Sequence, residues 1–294
     1  MGLQEIWTIG RILKWTEKFF RGKGMDTPRL DAEVLLSAVL GQPRIHLYVH
    51  FDQPLVPEEL ARYRAMVKQR AAHVPVAYIL GEKEFMGLTF KVTEATLIPR
   101  SDTEILVETA IELLGKGSYS VPIAFADIGT GTGAVCLSVL SFLKKAGRHV
   151  LADTVDISEE VRSAAEENAR TLGLSEDCCF YTGDLLMPLA GKTYAAILSN
   201  PPYIPEDDIA SLAPEVRLKE PKTALAGGAD GLAFYRRLAA EAPSMLYDGG
   251  FLAVEVGAGQ AEQVAELFTD GGLKDAETRK DLAGIVRVVL AWKR

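Results

Sequence analysis

Three glycines at alternate positions, Gly129-Thr130-Gly131-Thr132-Gly133, lie between an apolar stretch ending at Asp127 and a helical pattern over 135–145. Glycines so spaced allow a tight turn and let a ligand approach bare backbone at the start of a helix. From Val121 onward, strand and helix patterns alternate, with strands expected at 123–127, 150–156, 178–182, 195–199, 251–256 and 286–292 and helices between most of them. That alternation specifies an α/β sheet with its ligand at the carboxyl ends of the strands. No internal repeat or low-complexity segment interrupts it.

The loop by itself also fits a dinucleotide fingerprint, because Ala134 is tolerated at the third glycine position. Asp127 separates the two readings. A carboxylate at the mouth of a helix N-terminus repels a pyrophosphate and suits a ligand with an ammonium, such as the methionine half of S-adenosylmethionine. Asp156 ends the second strand, before a helix capped by Ser158, and is placed to accept from both hydroxyls of a ribose, which serves NAD and S-adenosylmethionine equally. Gly183-Asp184-Leu185, after the third strand, is the expected neighbour of an adenine, with Asp184 accepting from its amine and Leu185 packing on its ring.

Ser199-Asn200-Pro201-Pro202-Tyr203-Ile204 follows the apolar run Tyr194–Ser199. The two prolines remove two ladder donors and end the strand, and a residue before proline is confined to extended geometry. Asn200 is therefore expected at a strand end with its carboxamide projecting. A donor and acceptor amide, a proline carbonyl unclaimed by any helix and the aromatic face of Tyr203 together suit a planar group carrying an NH2, either a carboxamide or the amine of adenine.

The chain has 294 residues, long enough for two domains, with 48% hydrophobic and 24% charged content. A net charge of −8 disfavours sequence-independent binding to a phosphate backbone. Residues 1–10 carry no basic-then-apolar signal pattern, position 6 is Ile where a myristoylation signal needs Ser or Thr, and no apolar run is long enough to span a membrane. Cys136, Cys178 and Cys179 have no zinc-type spacing and are read as small buried hydrophobes of a reduced, cytoplasmic protein.

Residues 1–75 read as a small helical bundle. Ile6, Ile9, Leu13 and Phe20 have helical spacing, a second helix opens at Thr27-Pro28 to bury Leu30, Val34 and Ala38, and a third runs from Pro57, burying Leu60, Tyr63, Val67 and Ala71, to end near His73. With apolar faces and no cluster of candidate chemistry, the bundle is expected to recognise a substrate. His46 and His50 lack a third ligand and are read as surface or packing residues. Residues 76–97 form a connector with a β-hairpin turning at Gly87, and 98–294 form the α/β domain, entered through a Ser101/Glu104 capping box.

These residues resemble class I S-adenosylmethionine-dependent methyltransferases, and specifically the HemK/PrmC family of protein-glutamine methyltransferases that act on peptide chain release factors. The resemblance covers nearly the whole chain: Pro28-Arg29-Leu30-Asp31-Ala32-Glu33, Gly87-Leu88, Leu97-Ile98-Pro99-Arg100-Ser101-Asp102-Thr103-Glu104, the Asp127 to Gly133 loop, Asn200-Pro201-Pro202-Tyr203-Ile204, and Glu220-Pro221 followed by 225–232. Ser101 replaces the family's usual second proline, and Leu185 stands where some members have an aromatic residue over the adenine.

The resemblance implies a Rossmann-like fold and methyl transfer from S-adenosylmethionine, leaving S-adenosylhomocysteine, to the side-chain amide nitrogen of the Gly-Gly-Gln glutamine in class 1 release factors. It further implies that Asn200 and Pro201 accept the two amide hydrogens, that Tyr203 packs on the amide plane, and that no nucleic acid is directly required. An adenine amino-methyltransferase uses the same Asn-Pro-Pro-Tyr logic on a flipped base, but the acidic charge and lack of a basic, aromatic-rich region weigh against it. A non-catalytic protein of the same fold is expected to have lost either the glycine loop or the acceptor motif, and both are intact.

Overall fold

The computed structural model describes residues 6–117 and 119–294. Residues 1–5, part of the stretch read for a targeting signal and of the bundle, lie outside them. Contacts divide the chain into two units: the described residues up to Gly81 with Pro214–Lys219, and Glu82–Ala213 with Glu220–Arg294.

The first unit is helical. α1 (Ile9–Gly22) opens where the Thr8 side chain accepts from the Arg11 N–H, and it buries Ile9, Leu13 and Phe20, while Ile6 precedes it exposed. α2 (Pro28–Leu40) begins at Pro28, but the Thr27 hydroxyl donates to Asp31 at 2.7 Å rather than capping a backbone group. Its inward face is Ala32, Leu35, Leu36 and Val39; Leu30 and Ala38 are exposed and Val34 half-buried, which corrects the face expected from spacing. The register is set by acids. Asp31 pairs with Arg70 at 2.7 Å, and the Glu33 carboxylate, 1% exposed, receives Arg29, Arg44 and the Tyr48 hydroxyl, so these acids draw the helix inward on their own side.

Two short helices were not anticipated, α3 (Arg44–Val49) and α5 (Val76–Leu80); between them α4 (Pro57–Ala71) buries Tyr63 and Val67. Val76, Ile79 and Leu80 pack on the bundle's apolar cluster, and Gly81 stops α5 in the left-handed conformation, φ 76°.

The second unit starts with the hairpin β1 (Glu82–Phe85) and β2 (Leu88–Lys91), closed by Met86 and Gly87 at φ 51° and 68°, the sign a two-residue turn requires. A 3-10 turn at Ser101–Thr103 leads into α6 (Glu104–Lys116). The Ser101/Glu104 capping box is not formed: Glu104 instead accepts from the Met86 N–H at 3.3 Å, tying the hairpin turn to the helix. There follow β3 (Ile123–Ile128), α7 (Ala134–Lys145), β4 (Val150–Asp156), α8 (Glu159–Thr171), β5 (Cys178–Thr182), β6 (Tyr194–Ser199), α9 (Pro214–Lys219, part of the first unit), α10 (Ala233–Glu241), β7 (Leu246–Glu255), α11 (Ala261–Asp270), β8 (Lys274–Lys280) and β9 (Val286–Trp292).

Seven strands form one sheet in the order β5-β4-β3-β6-β7-β9-β8. β3 to β7 are parallel, and β9 pairs antiparallel with both β7 and β8. Successive strand residues enter separate clusters on the two faces: Phe125, Leu198 and Ala253 pack with α6 and α7, whereas Ala126, Ile197 and Val254 pack with α10 and α11. The order reverses at β3, whose neighbours are β4 and β6, and this opens a cleft at their carboxyl ends.

Asn168 on α8, 2% exposed, joins hairpin to sheet by donating to the carbonyls of Lys91 and Thr132 and accepting from the Lys91 N–H, all between 2.8 and 3.0 Å. Asn168→Ala leaves three polar backbone groups short of a partner, and we expect a stability loss of about 3 kcal/mol, read as a lower urea midpoint with unchanged slope.

Candidate active site

A cavity of about 800 Å³ lies where β3, β4, β5 and β6 end. Each strand delivers one wall: Gly129, Thr130, Gly131 and Thr132 after β3; Asp156 as the last residue of β4; Gly183, Asp184 and Leu185 after β5; Asn200, Pro201 and Pro202 after β6. The glycine loop folds back over β4, because the N–H groups of Gly129 and Thr130 and the Thr130 hydroxyl all donate to the Val155 carbonyl at 2.9 to 3.1 Å. Gly129 and Gly131 have φ 77° and 57°, and a Cβ added at Gly131 meets nothing within 4 Å, so the loop presents open backbone.

Asp127, Gly133 and Tyr203 stand behind the wall instead of on it. Gly133 caps α7 with φ 81° and faces Leu137 and Ala165. Asp127 is 1% exposed: one carboxylate oxygen accepts from the Cys136 N–H at 3.2 Å and Oδ1 has no partner. Burial pushes this acid up to about 7, against the Cys136 N–H and with help from the charge of Asp156. The Tyr203 ring, expected over the acceptor plane, packs on the second core cluster, and its hydroxyl donates to Glu255 at 3.4 Å; burial and then Glu255 push it up to about 12.

Asp156 is also raised by burial, offset by N–H groups of Gly131, Ser158 and Ile157. Oδ2 takes Gly131 at 3.1 Å and Oδ1 takes Ser158 at 3.1 Å, and each carboxylate oxygen retains a further lone pair for a ligand hydroxyl. Asp184 differs from expectation in having both oxygens held by Arg237 at 2.8 and 2.9 Å. Asn200 donates its Nδ2 to the Thr103 hydroxyl at 3.1 Å, which leaves Oδ1 as its remaining acceptor. The backbone after it is knitted to 225–228: Ile204 N–H donates to Leu225, and the N–H groups of Gly227 and Glu206 donate to Ile204 and Gly228.

Sequence reasoning missed several residues at or behind this site. Arg100 lines the cavity and pairs with buried Glu220; both lie in quoted motifs, and the signal was their opposite charge. Phe234 and Arg237, on α10, line the wall with no local motif. Glu255, 2% exposed at the end of β7, is pushed up to about 7 by burial, and its signal was an acid within the apolar run 251–256.

The sequence matches the PrmC N-terminal domain over 11–81 and the methyltransferase small domain over 118–229. It is 45% identical to the release factor glutamine methyltransferase of Geobacter sulfurreducens, over 97% of this chain and 96% of that protein, and 41% identical to that of Moorella thermoacetica, over 92% and 93%. The chain belongs to the release factor glutamine methyltransferase family. It is an S-adenosylmethionine-dependent methyltransferase, whose product is S-adenosylhomocysteine. Solved structures agree on the fold: the hMettl16 catalytic domain superposes with TM-score 0.57 at 16% identity, covering 78% of this chain and 82% of that one. The cofactor fits the residues present, since the cavity combines open glycine backbone with free acceptor capacity on Asp156, and an orphaned carboxylate oxygen lies behind the loop.

Asp127 carries a pH test. Its ordinary value is 3.8 and its folded value about 7, so between these the folded state holds a proton that the unfolded chain has released, and burial of this acid costs more stability as pH rises. Asp127→Asn removes that cost. The stability of Asp127→Asn relative to the parent should climb from pH 4 to pH 7, at up to about 1.4 kcal/mol per pH unit, and then level off, measured by urea unfolding of the cofactor-free proteins.

Proposed function

We propose that this protein methylates the side-chain amide nitrogen of the Gly-Gly-Gln glutamine in class 1 peptide chain release factors, in the cytoplasm and without a nucleic-acid requirement. The observation that carries the reading is the Asn200 carboxamide, fixed at a strand end on the cavity wall with its NH2 engaged by Thr103 and its oxygen left to accept. Bound S-adenosylmethionine supplies an electrophilic methyl group on a sulfonium. An amide nitrogen is a poor nucleophile, its lone pair being delocalised into the carbonyl, so the protein's task is orientation. Asn200 Oδ1 and the Pro201 carbonyl accept the two amide hydrogens and hold the nitrogen towards the cavity. The methylated amide is strongly acidic and loses its proton to water, so no dedicated base is needed. Asp156 takes ribose hydroxyls, and Asp127, behind the glycine loop, favours an ammonium. Leu185 packs on the adenine, and with Arg237 holding its carboxylate Asp184 orders this wall as well as contacting the base.

Incubation with methyl-labelled S-adenosylmethionine and a purified release factor should label the Gly-Gly-Gln glutamine, and labelling of added DNA or RNA in its place would favour the adenine reading. Asn200→Ala should lower kcat at least about a hundredfold with little change in cofactor affinity, because its contacts are made to the acceptor amide. Asp156→Ala should do the reverse, weakening cofactor binding by about 1 to 3 kcal/mol in calorimetry.

Selectivity for one protein needs surface remote from a small side chain, and we assign it to the first unit. Ile45, Tyr48 and Val49 recur at helical spacing on α3 and are 67%, 54% and 70% exposed, an apolar strip on a unit whose core is already filled. Ile45→Asp combined with Val49→Asp should raise KM for an intact release factor about tenfold while leaving methylation of a short Gly-Gly-Gln peptide unchanged.

A further inference from the structure

The motif Pro28-Arg29-Leu30-Asp31-Ala32-Glu33 opens α2, and none of its residues lines the cavity. Pro28 starts the helix, Ala32 enters the core and Asp31 pairs with Arg70. Arg29 and Glu33 build something else. The buried Glu33 carboxylate takes Arg29 Nε on one oxygen at 2.5 Å and Arg44 Nη2 on the other at 2.6 Å, and it also receives the Tyr48 hydroxyl. Arg29 reaches on to Glu17 at 3.6 Å, and Glu17 pairs with Arg21 at 2.7 Å. Three arginines therefore alternate with two acids across α1, α2 and α3, and the Arg29 guanidinium lies 5.9 Å from the centre of the Tyr48 ring.

A buried ion pair gives a fold little that apolar side chains of the same volume would not. What this one does is hold two guanidinium groups and a phenol in place at the surface, where the side chains of Arg29 and Arg44 stay 33% and 48% exposed. Arg44 gives Nε and Nη2 to Glu33 and keeps the hydrogens of Nη1 for a partner. The acids do not cancel the positive charge presented outward, because Glu33 is buried and Glu17 is shared between Arg21 and Arg29. Beside the arginines, Leu30, Ile45 and Val49 are exposed aliphatic groups. Pre-ordered arginine and tyrosine next to uncovered aliphatic side chains is the composition of an interface centre. The first unit has thirteen Lys and Arg against nine Asp and Glu, in a chain with 32 against 40, so this cationic character is local. A nucleic-acid backbone would set phosphates against the aliphatic groups, whereas a protein surface can match both parts. We propose that Arg21, Arg29, Arg44 and Tyr48, with the α3 strip, dock an acidic protein face whose carboxylates flank an apolar side chain, and that this face belongs to the release factor. This rests on the proposed glutamine reading of the site.

The test is equilibrium binding of an intact release factor to the full-length protein saturated with S-adenosylhomocysteine, followed over a range of salt concentrations, with methylation by the parent measured separately. Affinity in the parent should fall as salt rises. Arg29→Gln with Arg44→Gln should raise Kd at least about tenfold and flatten that salt dependence. Arg29→Lys with Arg44→Lys keeps the charge but loses the planar fork, and its Kd should lie between the two. Arg21, 71% exposed, touches no buried group, so Arg21→Glu tests the surface without disturbing the fold and should raise Kd about fivefold. Should the double glutamine variant not fold with Glu33 left unpaired, Arg21→Glu and the salt dependence of the parent decide alone. An Arg21→Glu protein that binds within about twofold of the parent, or a parent whose Kd ignores salt, overturns the docking surface while the substrate reading stands on methylation. A parent that binds an RNA oligonucleotide through these arginines more tightly than the release factor assigns the surface to nucleic acid and likewise overturns it. A parent that leaves the Gly-Gly-Gln glutamine unmethylated overturns the substrate reading and this one with it.

Discussion

The pairing of β3 with β6 is the contact on which the site depends. Ile128 stands opposite Ser199 at the last step of this parallel ladder, and the Ser199 hydroxyl donates to the Ile128 carbonyl at 2.6 Å, so both chains leave the sheet from one fixed point. β4 and β6 lie on opposite sides of β3, and the connections that follow must part. One turns through glycines over β4. The other is stopped by Pro201 and Pro202, which offer no N–H to prolong the ladder. The cleft is thus a consequence of strand order, and its two functional loops are a single residue step from a rigid junction.

Two acids are buried at that edge, Asp127 and Glu255, each with an oxygen that has no partner and each pushed up to about 7. Neither adds to the fold, since burying a carboxyl without full hydrogen bonding is destabilising. Their tolerance is explained by what surrounds them: β6 is buried along its whole length, and both faces of the sheet carry continuous apolar clusters. A core of that size absorbs two costly groups, and such groups gather where charge has a chemical use.

Most of the α/β unit was legible because its central strands are covered on both faces and read as unbroken apolar runs bounded by turns. β8 was not, because KDAETRK is charged along its length and sits at the sheet edge, where burial leaves no pattern. In α2 the apolar residues are dense enough to offer several faces, and the face chosen depends on Arg70 and Arg44, ion partners far along the chain. The same limit applies to the site. Most wall residues lie in local motifs at strand ends and were found from them, whereas Phe234 and Arg237 reach the wall from α10, and the Tyr203 ring packs on the second core cluster with its hydroxyl on Glu255, 52 positions away, which no local pattern encodes.

The acceptor loop is backed by the segment 225–231, whose backbone approaches it too closely at two positions to leave room for a side chain. A Cβ at Gly227 would lie 2.8 Å from the Pro202 carbonyl, and one at Gly231 would lie 2.3 Å from the Tyr203 carbonyl, so the segment following Glu220-Pro221 can approach the loop only because both positions are glycine. Between them Gln260 accepts from the Gly257 N–H at 3.0 Å and donates to the Tyr203 carbonyl at 3.0 Å. Gly257 can only donate and the Tyr203 carbonyl can only accept, so this amide has one orientation. Asn200 lacks such a partner, since Thr103 is a hydroxyl that serves either way. The loop's backbone is therefore fixed by groups of unambiguous polarity, whereas its reactive amide rests on a hydroxyl that can donate or accept.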